Sequence, residues 1–150
     1  AEGLITRDAM RDLFTFTLVR NPWDRMVSYY HWLKTQTFDH PAVILAQSKG
    51  FSGFLNAPLT QATFRKTPYA AYMTDGAGDV HSDLYIRLEH LAEDTAPLRD
   101  HLGFDLDMKI ANASARPCDS RGFYTESDAE LLGELCAQDV KTHGYTFDPA

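Results

Sequence analysis

The segment from Phe14 to Lys34 constrains the fold more than any other part of the chain. Its first six residues, Phe14 to Val19, are aromatic, β-branched or leucine, and they predict a strand buried on both faces. A helix should begin almost at once, because Asn21 is a good N-cap and Pro22 suits the first helical position. Apolar residues then recur at helical spacing, which predicts a buried helix face made of Trp23, Met26, Val27, Tyr30 and Leu33.

The point where this strand meets this helix is a candidate anion site. Arg20 follows the strand directly and lies beside the helix N-terminus, the place where α/β sheets bind anions. Ser28 lies two turns along the helix and has a hydroxyl to offer the same anion. The spacing alone is equally consistent with an Arg20 that pairs with a carboxylate and a Ser28 that faces solvent.

The rest of the chain predicts an α/β fold in a single domain spanning residues 1–150. A second buried strand is expected at Leu84 to Leu88, followed by a helix from Glu89 to Leu102 that Gly103 ends. Residues 67–82 are expected to form an irregular exposed loop. A last helix should start at Thr125, with Asp128 completing a capping box, and should end at Gly144. Two strands, each followed by a helix, indicate a parallel sheet.

Composition excludes several classes of protein. A hydrophobic fraction of 44%, with 9 Phe, 7 Tyr and 2 Trp, excludes a disordered chain. The net charge of −7 argues against nucleic acid as a partner, so an anionic ligand would need a local positive pocket. No apolar run approaches the roughly 18 residues of a membrane span, and residues 1–10 do not have the pattern of a signal peptide. Cys118 and Cys136 have no metal-ligand spacing, so we expect reduced thiols in a cytoplasmic protein.

The same residues carry a resemblance to a known family. Arg20-Asn21-Pro22-x-Asp24-Arg25-x-x-Ser28-x-Tyr30 resembles the 3′-phosphate-binding segment of sulfotransferases that use 3′-phosphoadenosine 5′-phosphosulfate (PAPS). The carbohydrate-type group, which includes the heparan sulfate 2-O-sulfotransferases, is the most similar. Two weaker similarities follow in the family's order: residues 84–103, and a C-terminal part made of residues 112–114 and 124–147.

The resemblance implies a fold, a cofactor and a reaction. The fold would be the P-loop-nucleotide-hydrolase-like three-layer sandwich with a parallel sheet. The cofactor would be PAPS or its product adenosine 3′,5′-bisphosphate (PAP), without a metal, and its 3′-phosphate would lie on Arg20 and Ser28. The sulfuryl group would pass to a hydroxyl of a carbohydrate or small-molecule acceptor. The loop of residues 112–124 would close over the nucleotide, with Arg116 and Arg121 near a phosphate and Phe123 or Tyr124 near the adenine. An ordinary polar surface loop is an equally open interpretation of that segment.

Two parts of the family's machinery are not recognisable in the sequence. The glycine-containing phosphosulfate loop with its lysine is absent, since neither Gly50 to Gly53 nor Gly76 to Gly78 has the required context. No catalytic base is assigned, because each of the six histidines fits a surface or helix-face position better. The alternatives are therefore a nucleotide-binding module that performs no transfer, or another P-loop phosphotransferase. Arg25 is expected to be a structural ion-pair residue.

The chain opens on Ala1 and shows only two convincing strands, so we expect it to be the C-terminal portion of the domain with its N-terminal part incomplete. The edge of the first strand would then be covered by further chain from the same gene product or by a second copy of the chain.

Overall fold

Two short parallel strands and the helices around them form the fold in the computed structural model, which describes residues 12–106 and 119–148. Strand β1 is Phe16–Val19 and strand β2 is Leu84–Arg87. They pair in parallel, with Phe16 opposite Leu84 and Val19 opposite Arg87. The predicted parallel α/β arrangement is confirmed, although β1 begins at Phe16 and not at Phe14.

Nine α-helices lie in the described residues. Five of them form the crossover from β1 to β2, and four follow β2. The crossover helices are α1 (Pro22–Lys34), α2 (Pro41–Ser48), α3 (Phe51–Leu55), α4 (Pro58–Lys66) and α5 (Tyr69–Tyr72). The helices after β2 are α6 (Leu91–Asp94), α7 (Ala96–Leu102), α8 (Glu126–Leu135) and α9 (Ala137–His143), and 3₁₀ turns occupy Leu88–His90 and Arg121–Phe123.

Two predicted helices are interrupted, and one predicted loop is partly helical. The helix expected from Glu89 to Leu102 breaks at Thr95, whose hydroxyl donates to the Leu91 carbonyl at 2.7 Å, and Pro97 follows in the first turn of α7. The last helix breaks at Cys136 into α8 and α9. Residues 67–82, expected to be irregular, contain α5 and an antiparallel bridge between Thr74 and Val80.

The main core lies between α1, α3, α8 and one face of the sheet. The predicted inward face of α1 is confirmed, because Trp23, Met26, Val27, Tyr30 and Leu33 are all buried. They pack in one cluster with apolar side chains of α3 and α8, each contributing on the order of 1.5–3 kcal/mol of burial energy. This packing fixes α1, and therefore the residues at its N-terminus, against the carboxyl end of β1.

The prediction that β1 is buried on both faces is wrong. Val19 is fully buried, whereas Phe16 and Leu18 are 43% and 42% exposed. Side chains alternate along a strand, so Phe16 and Leu18 share the face opposite the main core. On that face Ile86 of the neighbouring strand is fully buried, so β2 is covered there by other parts of the chain and β1 is not. Within the described residues the sheet has two strands, and no third strand pairs with the outer edge of β1.

Candidate functional site

The junction between β1 and α1 has the local structure that the sequence predicts. Asn21 caps the helix, its side-chain oxygen accepting a hydrogen bond from the Trp23 amide at 3.1 Å. Pro22 is the first helical residue, and Asp24 lies in the first turn. The Asn21 side chain also donates to the Thr146 carbonyl at 2.9 Å, which ties the junction to the C-terminal segment.

Arg20 is held beside the helix by a carboxylate of the same motif. Its Nε and one terminal nitrogen both contact Oδ2 of Asp24, and the two side chains are 27% and 22% exposed. Ser28 lies one further turn along, on the same helix face as Asp24, because residues four apart are neighbours on a helix. The structure therefore places Arg20, Asp24 and Ser28 along one side of α1. No direct bond joins Arg20 to Ser28 among the described residues.

Glu89 also lies at the carboxyl end of the sheet, although no motif in the sequence identified it. Its carboxylate accepts a hydrogen bond from the Asn21 amide at 2.7 Å and faces the Tyr145 hydroxyl at 3.4 Å. The side chain thus supplies a negative charge where the helix N-terminus favours one. Burial, and next to it the charge of Glu89, raise the pKa of Tyr145. The position of Glu89 just after β2, as Arg20 lies just after β1, is the signal that identifies it.

Arg25, the second arginine of the motif, has the structural role that the sequence predicts. Its guanidinium stacks 4.3 Å from the centre of the Tyr69 ring and lies 3.7 Å from a carboxylate oxygen of Asp139. The other oxygen of Asp139 accepts from the Tyr69 amide at 2.9 Å. Burial raises the pKa of Asp139, against the hydrogen bond from Tyr69 and the charge of Arg25. Arg25 therefore stabilises packing in the protein interior and does not point towards a ligand site.

The predicted nucleotide-covering loop is only partly within the described residues. Arg116 lies outside them. Arg121 is exposed, and Asp119 holds its guanidinium through two contacts at 2.9 Å. Phe123 packs edge-on against Phe51 of the core. In the described residues no hydrogen bond or ion pair joins Arg121 to the site at Arg20.

Tyr124 links this loop to the motif helix. Its hydroxyl donates to the Trp23 carbonyl at 2.7 Å. Tyr124, Trp23 and Phe147 also line a cleft of about 560 Å³ between the loop, α8 and the C-terminal segment. The remaining residues that line it are Arg121, Thr125, Glu126, Ala129, Glu130, Gly133 and Asp148.

Neither glycine pair forms a phosphate cradle, as the sequence indicates. Gly50 is the residue before α3, so Gly53 lies inside a helix. Around Gly76 and Gly78, the amides of Ala77 and Asp79 donate to the Asp75 carboxylate at 2.8 and 3.0 Å. Those amides therefore already donate hydrogen bonds to a carboxylate of the chain itself.

Residues 12–106 and 119–148 contain no group of three or more His, Cys, Asp or Glu side chains arranged to hold a metal ion. Over the same residues, no helix combines the length and the apolar character needed to cross a membrane. Cys136 is a free, buried thiol, and burial raises its pKa to about 12. Cys118 lies outside the described residues.

Comparison with known proteins adds no relative to this description. No protein-family model, curated protein or solved structure matches the chain.

Proposed function

We propose that the chain acts in a PAPS-dependent sulfotransferase, with the junction of β1 and α1 holding the 3′-phosphate of the nucleotide. The observation that carries the proposal is the placement of Arg20. It follows the carboxyl end of a parallel strand, beside a capped helix N-terminus, with Asp24 and Ser28 along one side of the helix. A guanidinium and a hydroxyl about two helical turns apart suit the separate oxygens of one phosphate.

The contacts of Arg20 also indicate how a phosphate would be received. Two of its guanidinium nitrogens face Asp24. The guanidinium is therefore oriented in advance, which lowers the entropy lost on binding. Because Asp24 and Glu89 already place negative charge near the junction, an incoming phosphate has to share or displace the Asp24 contact. We expect the binding to weaken as salt is added.

Together with this function we propose a more specific fold. The two parallel strands, with the main core on one face and the buried Ile86 on the other, support a three-layer arrangement of the P-loop-nucleotide-hydrolase-like kind. In that fold the nucleotide lies outside the carboxyl ends of the strands, which is where Arg20 and Glu89 lie.

PAPS would supply the sulfuryl group. With PAPS bound, the sulfuryl group would pass from the phosphate oxygen to a hydroxyl oxygen of a carbohydrate or small-molecule acceptor, and the hydroxyl proton would pass to a base. The part assigned to this chain is positioning: fixing the 3′-phosphate aligns the reacting atoms. The proposal assigns no base.

A second candidate function is a nucleotide-binding module that performs no transfer. It is favoured by the lack of a glycine–lysine cradle in residues 12–106 and 119–148. The two candidates share the 3′-phosphate site and differ in turnover. Sulfate transfer from PAPS to an acceptor by this chain would favour the first.

The site is tested by calorimetry with PAP on matched variants. Arg20→Ala removes a charge-assisted contact worth about 1.5–3 kcal/mol, so the affinity should fall about tenfold or more. Ser28→Ala should weaken it severalfold. Arg65→Ala is the control, since Arg65 is an exposed arginine at the end of α4. Equal losses for Arg20→Ala and Arg65→Ala would mean that the nucleotide is attracted by general charge and not by this site.

A further inference from the structure

The cleft beside α8 has aromatic walls. Phe147 packs edge-on against Trp23, with ring centres 5.7 Å apart, and against Tyr124 at 5.5 Å. The indole N–H of Trp23 donates to the Ala129 carbonyl at 2.9 Å, which fixes its ring against the helix. Gly133 allows this approach, because a β-carbon there would lie 3.2 Å from the indole. The volume of about 560 Å³ falls within the usual range for small-molecule sites.

The charged residues of the cleft are mostly acidic. Glu126, Glu130 and Asp148 line it, against the single arginine Arg121. That guanidinium is already neutralised by Asp119, and Asp148 contacts it at 3.4 Å. Glu126 lies in the first turn of α8, where it also serves the helix dipole.

Neither an ion pair nor the helix dipole accounts for Glu130. It lies beyond the first turn of α8, is exposed, and has no ion-pair partner among the described residues. The cleft therefore combines aromatic walls with a net negative rim.

We propose that this cleft binds a small organic cation, an ammonium group carried on an aromatic or aliphatic body. The body would lie against Trp23, Tyr124 and Phe147, and the ammonium group would lie near the rim carboxylates. The rings offer an apolar surface to the body of the ligand, and the carboxylates attract its ammonium group. The inference does not rest on the proposed nucleotide site, which has the opposite charge preference.

Three probes of similar size and different charge test the proposal: benzylammonium, benzyl alcohol and benzoate. Two-dimensional ¹H–¹⁵N NMR of the full chain reports binding through the Trp23 indole signal and the Gly133 amide. Trp32→Phe assigns the indole, because Trp32 is 49% exposed and gives the other signal of this type. We expect benzylammonium to bind most tightly, benzyl alcohol less tightly and benzoate least. Equal affinity for all three probes, or an absence of shifts at both signals, would overturn the proposal.

Charge-neutral variants of α8 locate the cation. Glu126→Gln combined with Glu130→Gln should weaken benzylammonium binding about fivefold and leave benzyl alcohol unchanged, as expected for exposed charge pairs. Glu134→Gln is the matched control, being exposed on the same helix and outside the cleft. An effect of Glu134→Gln as large as that of the double variant would show a general charge effect and refute the assignment. The probes carry no phosphate, so failure of PAP to bind would not affect this result.

Discussion

The two arginines of the motif should separate cleanly, Arg25 controlling stability and Arg20 controlling nucleotide binding. Arg25→Ala removes a guanidinium that is 17% exposed and lies 3.7 Å from Asp139, whose side chain is 3% exposed. It also removes the stacking on Tyr69 at 4.3 Å. Leaving a buried carboxylate without its cation costs about 3–5 kcal/mol, and the lost stacking adds about 0.5–2 kcal/mol.

Two features of the structure place the expected loss of stability near the lower end of the range of about 3–5 kcal/mol. The contact between Arg25 and Asp139 is longer than a hydrogen bond, and Asp139 keeps its bond from the Tyr69 amide. Asp139 can also take up a proton once Arg25 is gone. We therefore expect Arg25→Ala to lower the free energy of unfolding by about 3 kcal/mol. Arg20→Ala removes only a partly exposed pair, so it should cost less than about 1 kcal/mol.

Urea denaturation followed by tryptophan fluorescence measures these differences, with Arg65→Ala as the control. Arg25→Ala combined with Asp139→Asn should be more stable than Arg25→Ala alone, since asparagine keeps an acceptor for the Tyr69 amide and carries no charge.

The effect of pH gives a second check on the same pair. A raised pKa means that the folded state holds its proton more tightly, so the contribution of Asp139 to stability falls as pH rises through that pKa. Because the charge of Arg25 lowers the pKa of Asp139, its removal should raise that pKa further, and Arg25→Ala should lose more stability at neutral pH than at acidic pH. A loss below about 1 kcal/mol for Arg25→Ala, or no rescue by Asp139→Asn, would refute this reasoning.

Hydrogen bonds from the Arg87 guanidinium lower the pKa of Asp94 to about 2 from its ordinary value of 3.8. The stabilising effect of the ionised Asp94 should therefore be present above pH 4 and lost as the pH falls towards 2. Acid titration of Asp94→Asn against the wild type should show the stability gap closing over that range, and a constant gap would contradict it. Because burial raises the pKa of Cys136 to about 12, a thiol reagent should label it only after unfolding, as peptide mass spectrometry can show, and labelling of the native chain would contradict this. If the exposed face of β1 joins two copies of the chain, Phe16→Ser with Leu18→Ser should lower the mass measured by light scattering, whereas an unchanged mass would exclude that contact.

Local signals predicted much of this structure from the sequence. The spacing of apolar residues located the inward face of α1, and cap chemistry located its start at Asn21. The left-handed conformation at Gly103 and Gly144 ends α7 and α9, as the sequence predicts. The hydroxyl of Thr125 accepts from the Asp128 amide at 3.1 Å, as a capping box requires.

Contacts between distant parts of the chain were not predictable in the same way. The bond from the Asn21 amide to Glu89 depends on the register of β1 against β2, which no short window of sequence specifies. The resemblance implies that Arg121 lies near a phosphate, whereas its contact with Asp148, 27 residues further along the chain, comes from folding and is specified by no local pattern. Local patterns show which residues can bind an anion. Arg20 and Arg121 both contact carboxylates of the chain itself, so the packed fold decides which contacts an incoming anion must share or displace.

Calorimetry on the unmodified chain with two nucleotides tests whether Arg20 and Ser28 hold the 3′-phosphate. PAP and adenosine 5′-monophosphate differ only in the 3′-phosphate, the group assigned to Arg20 and Ser28. We expect PAP to bind at least about tenfold more tightly, which corresponds to one charge-assisted contact. Equal affinity for the two nucleotides would contradict it, because the junction of β1 and α1 would then make no contact with the 3′-phosphate.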